Sequence, residues 1–285
     1  MAVAPSNNAF KCVYYDNGIW VAGDDSNKGL YYSEDGGSWA QSNITSGDFY
    51  DVYYANGIWI AGSGSDNGLY YSIDGMTWTQ SNITNITFEC VYYANGIWVT
   101  GSYDKGLYYS TDGITWTETS LNSDTINCVY YANELWVAGS ENNGIFHSED
   151  GITWAQSDID SPTIKCIYNI NNIWVAGSGG YSTGLYYSTD GITWTLSNIT
   201  RNDGFNCVYY ANGIWVAGTN NTNNGLWYST DIGKVLMVDS NAKVRAGELS
   251  MAFSVSDDGN GNVTIGIVKD FITNNDTNND TGGAM

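Results

Sequence analysis

The sequence predicts an all-β chain, a six-bladed β-propeller of four-stranded blades with a small C-terminal β-hairpin appendage. Three observations carry that prediction. A tryptophan recurs at Trp20, Trp59, Trp98, Trp136, Trp174 and Trp215, each within a version of Tyr-Tyr-Ala-Asn-Gly-Ile-Trp-Val-Ala-Gly. Subtracting neighbouring positions gives spacings of 39, 39, 38, 38 and 41 residues, the length of one propeller blade. Asn-Gly and Asp-Gly dipeptides, the strongest short hairpin signals, recur at two fixed places, the first in four of the six periods and the second in five. Aromatic residues are abundant at Trp 12, Tyr 23 and Phe 7, and Pro is scarce at 2, a mix suited to pleated, half-buried surfaces.

The second unit shows how each element follows. Asp51-Val52-Tyr53-Tyr54 reads as the first strand, and Ala55-Asn56-Gly57 as its turn. Ile58-Trp59-Ile60-Ala61 is the second strand and Leu69-Tyr70-Tyr71-Ser72 the third. Asp74-Gly75 turns into the fourth, Thr77-Trp78-Thr79-Gln80-Ser81. Four strands in about 40 residues suit a propeller blade. A solenoid is the competing architecture, but a closed ring removes the ends that a solenoid must cap.

The sixth copy keeps Ser229-Thr230-Asp231 and then loses its Trp-bearing fourth strand. Residues 2–7 overlay on Trp39-Ala40-Gln41-Ser42-Asn43 and are expected to supply it, with residues 234–239 as the competing donor. The propeller is expected to span 1–232. A docking hairpin is expected over 233–270, because Met251, Phe253 and Val255 alternate, residues 257–262 turn, and Val263, Ile265 and Ile267 alternate. Residues 271–285 are polar and repetitive and are expected to be disordered.

The net charge of -21, from 30 acidic and 9 basic residues, repels phosphate backbones and anionic lipid. Nucleic acid and membrane surfaces are therefore excluded as partners. Residues 1–8 have neither a basic start nor an apolar stretch, so no secretory signal is expected.

The stretches Ser-x-Asp-Gly-x-(Ser/Thr)-Trp, ending at Trp39, Trp78, Trp116, Trp154 and Trp194, resemble the Asp-box, or BNR, repeat of sialidase-like propellers, shortened by one residue. The resemblance covers residues 10 to 231. It implies that Asp35, Asp74, Asp112, Asp150, Asp190 and Asp231 are structural, tying turn backbones with side-chain hydrogen bonds, and that the tryptophans pack between blades. Sialidase catalysis in that family needs three Arg to grip a carboxylate. This chain has two, Arg201 and Arg245. Architecture without catalysis is therefore expected. The hairpin Val255-Ser256-Asp257-Asp258-Gly259-Asn260-Gly261-Asn262-Val263-Thr264-Ile265 is similar to segments of bacteriophage structural proteins.

The remaining reactive residues read as structural. Cys12, Cys90, Cys128, Cys166 and Cys207 share one place in the first strand, where the second unit has Asp51. Equivalent places in a ring lie a blade apart, beyond disulfide reach, so free, buried thiols are expected. His147 stands where other units carry Tyr. Asn-Ile-Thr at Asn43, Asn82, Asn85 and Asn198 matches the glycosylation pattern but is read as loop sequence. No cofactor, metal or catalytic residue is expected.

The first-to-second and third-to-fourth connections hardly vary between units, whereas the second-to-third and fourth-to-first connections vary freely. Strands alternate direction, so both variable sets share one face. Loops on a rigid scaffold are where binding residues concentrate. Asp24, Asp25, Lys28, Tyr103, Asp104, Lys105 and Tyr181 are the expected ligand-binding residues, offering the stacking and hydrogen-bonding surfaces a sugar requires. The expected function is a non-enzymatic virion surface protein: a phage fibre, head decoration or receptor-binding subunit. It would assemble in the bacterial cytoplasm, stand on the particle exterior and be oligomeric there. Its variable face would meet a host glycan or surface protein, and its hairpin other virion subunits. The alternatives are a bacterial protein-interaction scaffold without sugar binding and, less favoured, a glycoside hydrolase.

Overall fold

The computed structural model describes residues 8–64, 67–160, 162–179, 184–197, 204–219, 225–231, 234–237, 252–257 and 263–268. The chain divides into two compact units, residues 1–235 and 236–285.

The first unit contains six four-stranded antiparallel sheets, each built from consecutive strands. In the second sheet these are Phe49–Ala55, Ile58–Ser63, Leu69–Ser72 and Thr79–Gln80. The first turn places Asn56 at φ 52 and Gly57 at φ 81, the two positive angles that let a two-residue turn match strand twist. The inner strand starts at Phe49, two residues before the start expected from sequence, because the register shifts between Phe49 and Asp51. That bulge turns Phe49 and Val52 to one face although they are three residues apart. The other five inner strands show the same shift.

The first strand of each sheet packs on the first strand of the next, in chain order from sheet one to sheet six. These are the innermost strands. The cores lie between sheets, not within them. Val21 and Leu30 of the first blade, for example, bury against Phe49, Val52, Trp59 and Trp78 of the second. Glycine on the second strand makes this approach possible. A Cβ on Gly139 would stand 2.4 Å from Ile164 Cγ2, and one on Gly101 2.8 Å from the Ile126 carbonyl oxygen.

From blade one to blade five, each blade also holds the next through its backbone. Asn43 Nδ2 donates to the Trp78 carbonyl (2.9 Å) while its Oδ1 accepts from the Trp78 N–H (2.7 Å). Asn82 grips Trp116 in the same way at 3.0 and 2.8 Å. Ser120 and Asp158 accept the N–H of Trp154 and Trp194. Asn43 and Asn82, read from sequence as loop residues, are inter-blade clasps.

In the sixth sheet the fourth position belongs to Lys234–Met237. The segment 2–7, expected there from sequence, lies outside the described residues. The boundary between the two compact units falls after 235, inside the strand Lys234–Met237. In the second unit, Ala252–Asp257 pairs antiparallel with Val263–Val268, with Val255 opposite Ile265. Residues 271–285 lie outside the described residues.

Candidate functional site

The variable connections and the starts of the inner strands share one face of the blade array. One column there changes along the blades, Lys11, Tyr50, Glu89, Asn127 and Lys165, before Asn206 of the sixth blade repeats the asparagine. It runs between two near-constant columns, the buried Phe49, Phe88, Ile126 and Ile164 on one side and the cysteines on the other. Register fixes each member at the second residue of its inner strand.

These side chains form a mixed-charge cluster. Lys11 Nζ lies 5.2 Å from the Tyr50 ring centroid, within cation–π range. Lys165 Nζ meets Glu141 Oε2 at 2.5 Å and donates to Asn127 Oδ1 at 3.3 Å. Asn127 Nδ2 donates to Glu141 Oε2 at 3.1 Å. Burial pushes the Glu89 carboxyl up, against the pull of Lys11 and Lys165. At Glu141 partial burial is outweighed by the Lys165 and Asn127 hydrogen bonds, which hold its carboxyl low. Burial, then the charges of Asp25, Glu89 and Asp48, raise the Tyr50 phenol. The variable connections contribute Glu141 and Asp25, whereas the column itself lies within strands, outside the connections in which the sequence places binding residues. The signal was one varying column between two near-constant ones.

The residues expected from sequence are only partly brought together. Asp25 joins the cluster through its charge on Tyr50 and Glu89. Asp24 does not face solvent. It is buried, and its Oδ1 accepts from Ser26 N, Ser26 Oγ and Lys28 N, which shapes the loop. Lys28 Nζ donates to Asn8 Oδ1 at 3.0 Å. Exposed Tyr103 sits beside Asp104 and Lys105, whose charges approach to 3.6 Å. Tyr181 lies outside the described residues.

The opposite face carries the repeated turns. In each box from blade one to blade five, one aspartate oxygen accepts the backbone N–H groups two and three residues on. For Asp112 these are Ile114 and Thr115, both at 2.8 Å. Ser110 Oγ donates to the same oxygen at 2.9 Å. The Ser38 and Gly37 amides pull the Asp35 carboxyl down to about 2. The Asp231 side chain lies outside the described residues. An open cleft of about 610 Å³ also lies on this face, lined by Asn95, Tyr131, Asn133, Glu134, Leu135, Glu149 and Asp190. The face is therefore not featureless scaffold.

All five cysteines are free. Burial pushes the thiols of Cys12, Cys90, Cys128 and Cys166 up, which suppresses thiolate chemistry. His147 Nδ1 contacts Ser157 Oγ at 3.2 Å within its sheet. Among the described residues, no group of three or more His, Cys, Asp or Glu could hold a metal ion.

No protein-family model and no curated protein matches the sequence. Solved structures do match. The computationally designed Ika8 protein superposes with a TM-score of 0.66 at 14% identity, over 91% of this chain and 83% of that one. The fold is a β-propeller. YCF48 bound to D1 peptide gives a TM-score of 0.57 at 14% identity, covering 80% of each chain. The GH74 enzyme of Niastella koreensis gives 0.58 at 16% identity, over 82% of this propeller but 38% of that chain. At such identities the likeness is one of fold, and fold does not carry function.

Proposed function

We propose that this propeller is a non-catalytic binding module on a virion exterior, whose variable face meets a host-surface glycan or protein. One observation carries the reading: the column Lys11, Tyr50, Glu89, Asn127, Lys165 and Asn206 takes four residue types within a scaffold that otherwise repeats itself. A scaffold that repeats its packing residues and diversifies one polar cluster is arranged for recognition. Charged, amide and aromatic groups together suit a polyhydroxylated or peptide surface. YCF48, of similar fold, has been captured with a peptide, which supports a protein partner. The hairpin at 252–268 would attach the module to other virion subunits. The box carboxylates are committed to turn amides, which favours a non-catalytic reading.

A glycan array probed with the intact chain and with Lys165→Ala/Glu141→Ala tests this. Selective binding by the intact chain, lost in the variant, is the expected result. Binding that survives the variant moves the site elsewhere. Absence of glycan binding favours the bacterial or virion protein-scaffold reading. Hydrolysis of any arrayed glycan overturns the non-catalytic reading and directs attention to Glu89 and Glu141, whose environments drive their carboxyls in opposite directions.

A further inference from the structure

Five blade-to-blade interfaces repeat one set of contacts. Tyr14, Tyr53, Tyr92, Tyr130, Tyr168 and Tyr209 form a ladder with successive ring centroids 4.8, 5.3, 5.3, 5.5 and 5.3 Å apart. Each of the first five also meets the next blade's tryptophan edge-on. Both ends of the array leave this set unfinished. On the first blade Val13 is 57% exposed and Phe10 38%, whereas Val52 is 2% exposed and Phe49 fully buried. Trp20 is half-buried where Trp59 and Trp98 are fully buried. On the sixth blade Tyr209 is 62% exposed and Val216 37%, and Cys207 is the exposed cysteine of the five. A Cβ on Gly177 would meet Phe205 of the next blade, but one on Gly218 meets only atoms of its own blade. Among the described residues, no ring contact joins Tyr209 to Tyr14 or Trp20.

The two free faces are the two halves of one interface. A surface complementary to Cys207, Tyr209 and Val216 is written in Phe10, Val13 and Trp20, and among the described residues the exposure of both sets shows them uncovered by one another. The structure assigns a partner for each: we infer that the sixth blade of one copy docks on the first blade of a second copy, head to tail, as a further instance of the interface already present five times. The contact is heterologous, so it builds rings or short rows according to the turn between copies. Continuity with the internal interfaces favours a second copy over an unrelated protein, which would have to reproduce the ladder residue by residue.

Blocked ends test the polarity. Val13→Arg spoils the leading face and Val216→Arg the trailing face; Cys207→Arg replaces the latter if it fails to fold by circular dichroism. Masses are read by size exclusion with light scattering at about 0.3 M salt, where the Debye length is short enough to screen the net charge. The intact chain is expected as a dimer or larger species, each variant alone as a monomer of 31.1 kDa, and their equimolar mixture as a two-chain species. Only a head-to-tail contact lets two self-incompetent variants pair. A monomeric intact chain, association of either variant alone, or an unpaired mixture overturns the proposal. The first of these indicates closure within one chain or cover by its own C-terminal segment; the second indicates a different surface.

Discussion

Asp51 stands where the other five blades place cysteine, and its ionisation opposes the fold. Its Oδ1 accepts from Val52 N (2.9 Å) and its Oδ2 from Val91 N of the next blade (2.8 Å). Burial nevertheless pushes the carboxyl up to about 7 from 3.8. Between those pH values the folded chain holds a proton that the unfolded chain has released. The stability contributed by this group is therefore complete below the unfolded value and is lost as pH rises through the folded value. Asp51→Cys removes the penalty. Its melting temperature relative to the parent should rise between pH 4 and pH 8, by an amount worth on the order of 4 kcal/mol. A pH-independent difference in thermal unfolding would show that the carboxyl is not responsible. The box aspartates titrate in the opposite sense. Asp112, held low first by the Thr115 amide, contributes stability above the unfolded value and loses it as pH falls further.

At the scale of the element, the connection after the fourth strand binds one blade to the next. Asn82 makes two hydrogen bonds to the Trp116 backbone, and a buried backbone group left without a partner costs about 1–3 kcal/mol. Asn82→Ala should lower stability by that order in a denaturant titration. Ser120→Asn should raise it by about 1 kcal/mol, because Ser120 accepts one bond from Trp154 and an amide could also donate one. Equal effects in the two variants would exclude the clasp. The strands and turns were legible because Asn-Gly and Asp-Gly mark them locally. Asn43 and Asn82 were not, because their partners lie 35 and 34 residues away and nothing local distinguishes a clasp from a polar loop. Asp24 misled for the same reason: composition shows a carboxylate in a loop, but not that its oxygen turns inward to Ser26 and Lys28. The polar column from Lys11 to Lys165 is visible in the sequence as a varying strand position between a near-constant aromatic or isoleucine and a near-constant cysteine.

For the whole molecule, a net charge of -21 works against every contact between like surfaces. Raising salt from about 0.02 M to about 0.5 M shortens the Debye length several-fold, so the melting temperature should rise. A fall would mean that specific ion pairs such as Lys165–Glu141 outweigh the general repulsion. Stability otherwise behaves as a sum of blades and nearest-neighbour faces. The faces are nearly one text: tyrosine ladder, tryptophan edge, glycine gap. A gene that duplicates or deletes one such unit by unequal recombination therefore produces a new neighbour that already fits on both sides. Blade number can drift in the lineage while the joint between blades stays unchanged, and the polar column is then free to take a different residue in every added copy.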